Sequence, residues 1–188
     1  MSYQFRPEHS AFFQSLNKHG VEYVLIGGVA VNLHGYIRGT GDVDILFGPS
    51  FENKQRLIDA IEEYGFDTER LRAAKPGEIT MFALGERTYE GHMELTNRIA
   101  GITFDEASRQ MQQIKVDGVT VNFLHYEDLI KSKLATGRRK DLIDVEKLKQ
   151  VKQAETIKED QDGETTSSDG SPQSLWEKIK AIMFPKND

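Results

Sequence analysis

The 188-residue sequence contains no cysteine, and this absence removes several kinds of chemistry. Disulfide bonds, zinc sites with cysteine ligands and thiol nucleophiles are excluded for this chain. The sequence also lacks an apolar run long enough to span a membrane, and its first residues lack the apolar core of a signal peptide. We therefore expect a cytoplasmic protein that makes no membrane contact.

Basic residues are too few for a broad nucleic-acid-binding surface. Lysine and arginine total 24 against 30 aspartates and glutamates, so the net charge is -6. This charge disfavours binding to a phosphate backbone over a large area, although a local basic patch could still bind one. With 38% hydrophobic and 29% charged residues, the composition is that of a globular domain with its own core.

The most informative segment of the chain begins at a glycine pair. The apolar run 24–26 predicts a buried strand that stops at Gly27-Gly28, and apolar residues at helical spacing then predict a short helix. A glycine pair between a strand and a helix leaves backbone N–H groups available to a phosphate. Taken alone, the pair is also explained as an ordinary turn. It matches neither the dinucleotide-binding fingerprint nor the phosphate loop.

A second strand, predicted over residues 42–47, carries two acids on one face. Asp42 and Asp44 alternate with apolar Val43 and Ile45, so the two carboxylates point the same way, roughly 7 Å apart. Two such acids are common on protein surfaces, but their place on a core strand soon after the glycine pair favours a site for Mg²⁺ and a nucleotide phosphate. Zinc is less suitable because the chain has no cysteine and no His-x3-His pattern.

Apolar periodicity and turn residues predict the remaining elements. The predicted helices are Pro7 to Asn17, Phe51 to Tyr64, a short one capped by Thr103, Tyr126 to Ala135 and Lys140 to Gln150. The predicted strands are Val21 to Ile26, Asp42 to Phe47, Glu78 to Leu84, Thr88 to Thr96, Gln112 to Val116 and Val119 to Leu124.

The composition changes after residue 152. We predict one domain over residues 1–152, a disordered linker over 153–172, which has almost no apolar residues, and an amphipathic helix over 173–188. An amphipathic helix needs a partner for its apolar side. It could dock on the same domain, bind another protein or lie on a membrane surface, and Lys178 and Lys180 support the last alternative only weakly.

The glycine pair and the two acids belong to a longer pattern. Its first part consists of Gly27, Gly28, Arg38, Thr40, Asp42 and Asp44. Its later parts are Met93 to Ile99, Gly101 to Ala107, and Glu127 to Ile130 with Lys133, Gly137, Arg138, Lys140, Asp141 and Asp144. Over about residues 10–150 the chain resembles nucleotidyltransferases of the polymerase β superfamily. It is most similar to small bacterial members related to abortive-infection and minimal-nucleotidyltransferase antitoxin proteins.

The resemblance implies an α+β fold in which a mixed β-sheet is backed by helices. It also implies that the glycine turn binds nucleotide phosphates, with Arg38 and Thr40 beside it, and that Asp42 and Asp44 hold two Mg²⁺ ions. A third carboxylate from a neighbouring strand activates the acceptor hydroxyl in that family and shares the metals. Glu94 occupies the matching position, where aspartate is expected.

The resemblance further implies that basic residues near Lys133 and Arg138 approach the nucleotide phosphates. The alternative is that they form a solvated helix face. Asp141 and Asp144 lie three residues apart on one side of a helix, and we expect them to pair with Arg138 or Lys140. His92 shares the strand face of Glu94 and could assist there, but we expect it to be a plain surface histidine.

We therefore expect a metal-dependent nucleotidyltransferase. It would move NMP from an NTP, such as ATP, to a hydroxyl of a protein, a tRNA or a small molecule, and release pyrophosphate. The glutamate at position 94 and the predicted C-terminal helix support an alternative, a weakly active or inactive nucleotide-binding module that pairs with a cognate toxin or antitoxin. A metal-dependent phosphohydrolase that uses the same acids is a third interpretation.

Overall fold

The computed structural model describes residues 5–75, 78, 81–84 and 92–161, with side chains as far as residue 156. The elements in chain order are α1 (Pro7–Lys18), β1 (Tyr23–Ile26), α2 (Gly27–Leu33), β2 (Val43–Phe47), α3 (Phe51–Glu63), α4 (Glu69–Ala73), β3 (Met81–Leu84), β4 (Met93–Thr96), α5 (Phe104–Arg109), β5 (Gln112–Val116), β6 (Val119–Phe123), α6 (Tyr126–Thr136) and α7 (Arg139–Gln161). The predicted helix at 173–188 lies outside the described residues.

The described strands form one mixed sheet with the order β3-β4-β2-β1-β6-β5. β1 pairs antiparallel with β2, and β2 pairs parallel with β4. β5 and β6 form the hairpin predicted at Asp117-Gly118, where Asp117 has a φ of 50°. This arrangement confirms the expected α+β fold with a mixed sheet backed by helices.

Helices cover both faces of the sheet because the strands alternate apolar side chains between two cores. One core joins Val43 and Ile45 of β2 to α1 and α3. The other joins Leu46 of β2 to Leu129 of α6 and Leu148 of α7. Asp44 lies between Val43 and Ile45 in the strand, so its side chain belongs to the face that α6 and α7 cover.

The helix α7 is longer than predicted. It continues to Gln161, whereas the sequence predicted an end at Gln150 and a linker from 153. Glutamine, alanine, glutamate and lysine favour a helix even without an apolar stripe. Lys152 also anchors this part of the helix, because its Nζ lies 2.8 Å from Glu127 Oε1 and 4.1 Å from the ring centre of Tyr126. Residues 162–172 of the predicted linker lie outside the described residues.

Other differences lie at element ends. The strands predicted over 78–84 and 88–96 are described as Met81–Leu84 and Met93–Thr96, and the short helix α4 was not predicted. The capping box predicted at Thr103 and Glu106 is confirmed, with both reciprocal hydrogen bonds formed. None of the helices in the described part of the chain combines the length and apolar character needed to cross a membrane.

Candidate active site

The register of three neighbouring strands places two acids side by side. Asp44 pairs with Ile26 of β1 on one side and with Glu94 of β4 on the other. Residues paired in register on adjacent strands carry their side chains on the same face. Asp44 therefore lies between the end of β1, where the glycine pair begins, and the predicted third carboxylate.

Gly27 is packed directly against Asp44. The helix α2 begins at Gly27, which has a φ of +66°, immediately after β1 ends. An ideal Cβ on this glycine would lie 1.9 Å from Asp44 Oδ2, and the backbone N–H of Gly28 donates a hydrogen bond to the Asp44 carboxylate. Because Gly27 has no side chain, it permits both the left-handed backbone conformation and the close approach of the Asp44 carboxylate.

Gly28 makes room for two other residues of the predicted pattern. An ideal Cβ on Gly28 would lie 2.4 Å from Thr40 Oγ1 and 3.3 Å from Arg38 Nη2. The hydroxyl of Thr40 donates to the backbone carbonyl of Asp42 at 3.3 Å. The fold therefore brings both glycines, Arg38, Thr40 and Asp44 together, as the sequence pattern suggested.

Asp44 is in an environment that disfavours its charge. Burial raises the pKa of this carboxyl, and the nearby negative charges of Glu94 and Asp42 raise it further. The hydrogen bond from Gly28 and the charge of Lys133 oppose the shift, but the pKa still reaches about 6. A cation bound at Asp44 would offset this excess of negative charge.

The three predicted metal ligands are differently exposed. Asp42 precedes β2 and is exposed to solvent, whereas Asp44 is mostly buried and 28% of the Glu94 side chain is exposed. Across the described ranges, no three His, Cys, Asp or Glu side chains are gathered closely enough to hold a metal ion by themselves. Asp44 and Glu94 are paired by the strand register, with Asp42 near enough to act on the charge of Asp44.

Lys133 is buried and makes two ion pairs. Its Nζ lies 3.0 Å from Asp141 Oδ1 and 2.7 Å from Asp144 Oδ2. Asp144 also accepts two hydrogen bonds from Arg38, one from Nε at 2.7 Å and one from Nη2 at 2.8 Å. The interpretation of Lys133 as part of a solvated helix face is therefore wrong.

Arg138 extends the same network to the surface. Its Nε donates to Asp141 Oδ2 at 2.6 Å, although 74% of the Arg138 side chain is exposed, and Thr136 Oγ1 donates to the same oxygen at 2.7 Å. Burial alone would raise the pKa of Asp141, but the hydrogen bonds from Arg138, Thr136 and Lys133 lower it to about 2. Asp141 thus remains charged and fixes three side chains.

Comparison with protein-family models identifies the chain. Residues 10–159 match the model described as "Nucleotidyltransferase of unknown function (DUF6036)". The chain belongs to this nucleotidyltransferase family. No match to a curated protein was found.

Two solved structures share the fold of this nucleotidyltransferase. The Thermotoga maritima protein TM1012, a candidate nucleotidyltransferase, has a TM-score of 0.52 and 19% identity, over 84% of this chain and 94% of its own. The lincosamide antibiotic adenylyltransferase LnuA, solved with lincomycin bound, has a TM-score of 0.53 and 16% identity, over 79% and 98% of the two chains. At these identities the likeness concerns the fold, and it agrees with the expected nucleotidyltransferase architecture.

Two expectations about this nucleotidyltransferase need correction. His92 is not a surface residue, because only 2% of its side chain is exposed. Asp144 pairs with Arg38 and Lys133, and not with Lys140, which is exposed. The predicted pairing of Asp141 with Arg138 is confirmed. The signal for buried acids was present in the sequence, since apolar Val145 follows Asp141 and Asp144 on the same helical side.

Proposed function

We propose that this nucleotidyltransferase is metal-dependent and moves NMP from an NTP to an acceptor hydroxyl, with release of pyrophosphate. The observation that carries the proposal is the position of Asp44, packed on Gly27 and paired in register with Glu94. Its pKa of about 6 marks an acidic site that lacks enough positive charge. Buried acids with strongly shifted pKa values cluster at catalytic sites.

The residues present suit two Mg²⁺ ions that are shared with a nucleotide. Mg²⁺ is commonly held by one or two carboxylates together with substrate phosphates and water. An arrangement of this kind needs no closed cage of three protein ligands. Asp42, Asp44 and Glu94 would hold the ions, which when bound offset charge on the phosphates and lower the pKa of the acceptor hydroxyl.

In this reaction the chain's own residues accept a proton, stabilise negative charge and position the triphosphate. The acceptor oxygen forms a bond to the α-phosphorus while the bond from that phosphorus to the β-phosphate oxygen breaks, and pyrophosphate leaves. Glu94 takes the proton of the acceptor hydroxyl. Arg38, Lys133 and Arg138 supply positive charge beside the glycine turn, which holds the triphosphate in line, because positioning and charge stabilisation dominate this chemistry.

A labelling assay tests the proposal. Purified protein is incubated with Mg²⁺, each α-³²P-labelled NTP and fractions of cell lysate that contain proteins, tRNA or small molecules. We expect one nucleotide to label one fraction with equimolar pyrophosphate release, and Asp44→Asn to abolish both. Release of free NMP without labelling would indicate the phosphohydrolase, and no product in any fraction would refute the proposal.

The ion pairs of Lys133 favour a second candidate function, a nucleotide-binding module with little turnover that pairs with a toxin or antitoxin. Asp141 and Asp144 already neutralise this lysine, so less of its charge is available to a triphosphate. Calorimetry with Mg²⁺ and each NTP separates the two functions. Micromolar binding without labelling, together with co-purification of a partner that survives Asp44→Asn, would favour the module.

A further inference from the structure

His92 lies at the site and was not assigned a role by the pattern. The backbone N–H of Val43 donates to the His92 carbonyl at 3.0 Å, so the parallel pairing of β2 and β4 continues to this residue. Because side chains two apart on an extended chain share a face, His92 lies on the side of Glu94, beside Asp42 and Asp44. Met93, between them, belongs to the opposite core.

The side chain of His92 is buried, and neither ring nitrogen has a hydrogen-bond partner among the described residues. Only 2% of it is exposed, and neither Nδ1 nor Nε2 makes a hydrogen bond. Buried polar groups are normally satisfied, so an exception calls for an explanation such as a catalytic role, an ordered water or an ion. The imidazole would therefore gain a hydrogen bond from a small movement towards an acceptor.

Glu94 is that acceptor. Nε2 of His92 lies 3.5 Å from Glu94 Oε1, whereas a formed hydrogen bond measures about 2.7–3.2 Å. Hydrogen bonds of catalytic groups are often long before the substrate complex forms and shorten within it. Closing this gap would fix the carboxylate of Glu94 beside Asp44.

We infer that His92 is a positioning residue that donates its Nε2–H to Glu94 and so orients this carboxylate for the divalent cation. The inference rests on the proposed function, since it assigns Glu94 to the metal. Hydrogen-bond partners of metal ligands commonly change metal affinity by about 10- to 100-fold when they are removed. His92 makes no contact with the substrate in this account.

Three substitutions at His92 test the inference. Glutamine places an amide N–H near the Nε2 position, asparagine places one near Nδ1, and leucine places none. We expect His92→Leu and His92→Asn to weaken Mn²⁺ binding, measured by calorimetry on metal-free protein, by about 10-fold. The same two variants should lower kcat with little change in KM for the NTP, and His92→Gln should remain within about threefold of wild type.

A double-mutant cycle separates positioning from packing. If His92 acts through Glu94, His92→Leu should have no further effect on Mn²⁺ binding in a Glu94→Ala background, which removes the acceptor, and thermal melts should show that each variant folds. If Asp44→Asn abolishes Mn²⁺ binding but all three His92 variants bind Mn²⁺ as tightly as wild type, the role of His92 is overturned and the proposed function is not. A wild-type protein that neither binds Mn²⁺ nor transfers nucleotide overturns this inference and the proposed function together.

Discussion

The carboxylate of Asp44 occupies the space that a side chain at Gly27 would need. An ideal Cβ on Gly27 would lie 1.9 Å from Asp44 Oδ2, and Gly27 has a φ of +66°. The glycine is thus required both by the backbone conformation and by the acid packed against it. This contact links the turn after β1 to the acidic strand β2.

Gly27→Ala should therefore cost more stability than the strain of a left-handed alanine alone, because the new side chain would also displace Asp44. Gly20 is a matched control, because its φ is +63° and nothing lies within 4 Å of an ideal Cβ there. Gly20→Ala should cost about 1–2 kcal/mol, the strain of a left-handed alanine, and leave nucleotide transfer unchanged. Gly27→Ala should cost more and abolish transfer. Urea unfolding and the labelling assay measure both effects, and equal behaviour of the two variants would contradict the contact.

Asp44→Asn should inactivate the protein and yet stabilise its metal-free form above about pH 6. The folded-state pKa is about 6 against an ordinary value of 3.8, so the folded protein holds the proton more tightly and loses stability as the pH rises through this window. At pH 8 the variant should gain about 1–3 kcal/mol in free energy of unfolding, and below about pH 4 nothing. Asp42→Asn, at an exposed position, should change stability by less than about 0.5 kcal/mol. If both variants gained the same free energy of unfolding, burial would not be the cause of the effect at Asp44.

Asp144→Ala should destabilise the protein strongly. It leaves Arg38 and Lys133 without their shared carboxylate, and removal of one partner from a buried ion pair commonly costs about 3–5 kcal/mol. The control is Glu127→Gln, which breaks an exposed pair with Lys152 and should cost less than about 1 kcal/mol. Urea unfolding at pH 7 measures both free energies. A loss below about 1 kcal/mol for Asp144→Ala would show that the network contributes little.

His34 should make stability depend on pH below neutrality. Burial lowers the pKa of this imidazole to about 4, against the opposing hydrogen bond that Nε2–H donates to the Leu124 carbonyl at 2.8 Å. The unfolded chain therefore binds the extra proton between about pH 4 and 6.5, and stability rises with pH across that window. We expect wild type to gain about 2–3 kcal/mol more than His34→Gln between pH 4 and 7. Parallel pH profiles would mean that His34 titrates normally.

Local sequence patterns predicted much of the fold and part of the site. The strand, glycine pair and helix at residues 24–33 depend on near neighbours in the chain, as does the alternation that points Asp44 away from Val43. Residue order alone is enough to predict features of this kind. The same holds for the capping box at Thr103, since its hydrogen bonds join residues three positions apart.

The contacts that the sequence did not reveal join distant segments. Arg38 and Asp144 are 106 residues apart in the chain, and no periodicity relates them. The burial of His92 depends on its place beside β2, which only the sheet order determines. The length of α7 was missed because its C-terminal part lacks an apolar stripe. This part is held instead by Lys152, which pairs with Glu127 of α6. Contacts between distant elements decide the first two features, whereas helix propensity and the contact of Lys152 together extend α7.

A crystal structure with Mg²⁺ and a non-hydrolysable NTP tests the central claim most directly. Our account predicts a cation bound to Asp44 and to the phosphates, a triphosphate beside Gly27-Gly28, and Glu94 turned towards the same cation. A nucleotide bound elsewhere, or one bound here with no cation on Asp44, would contradict it.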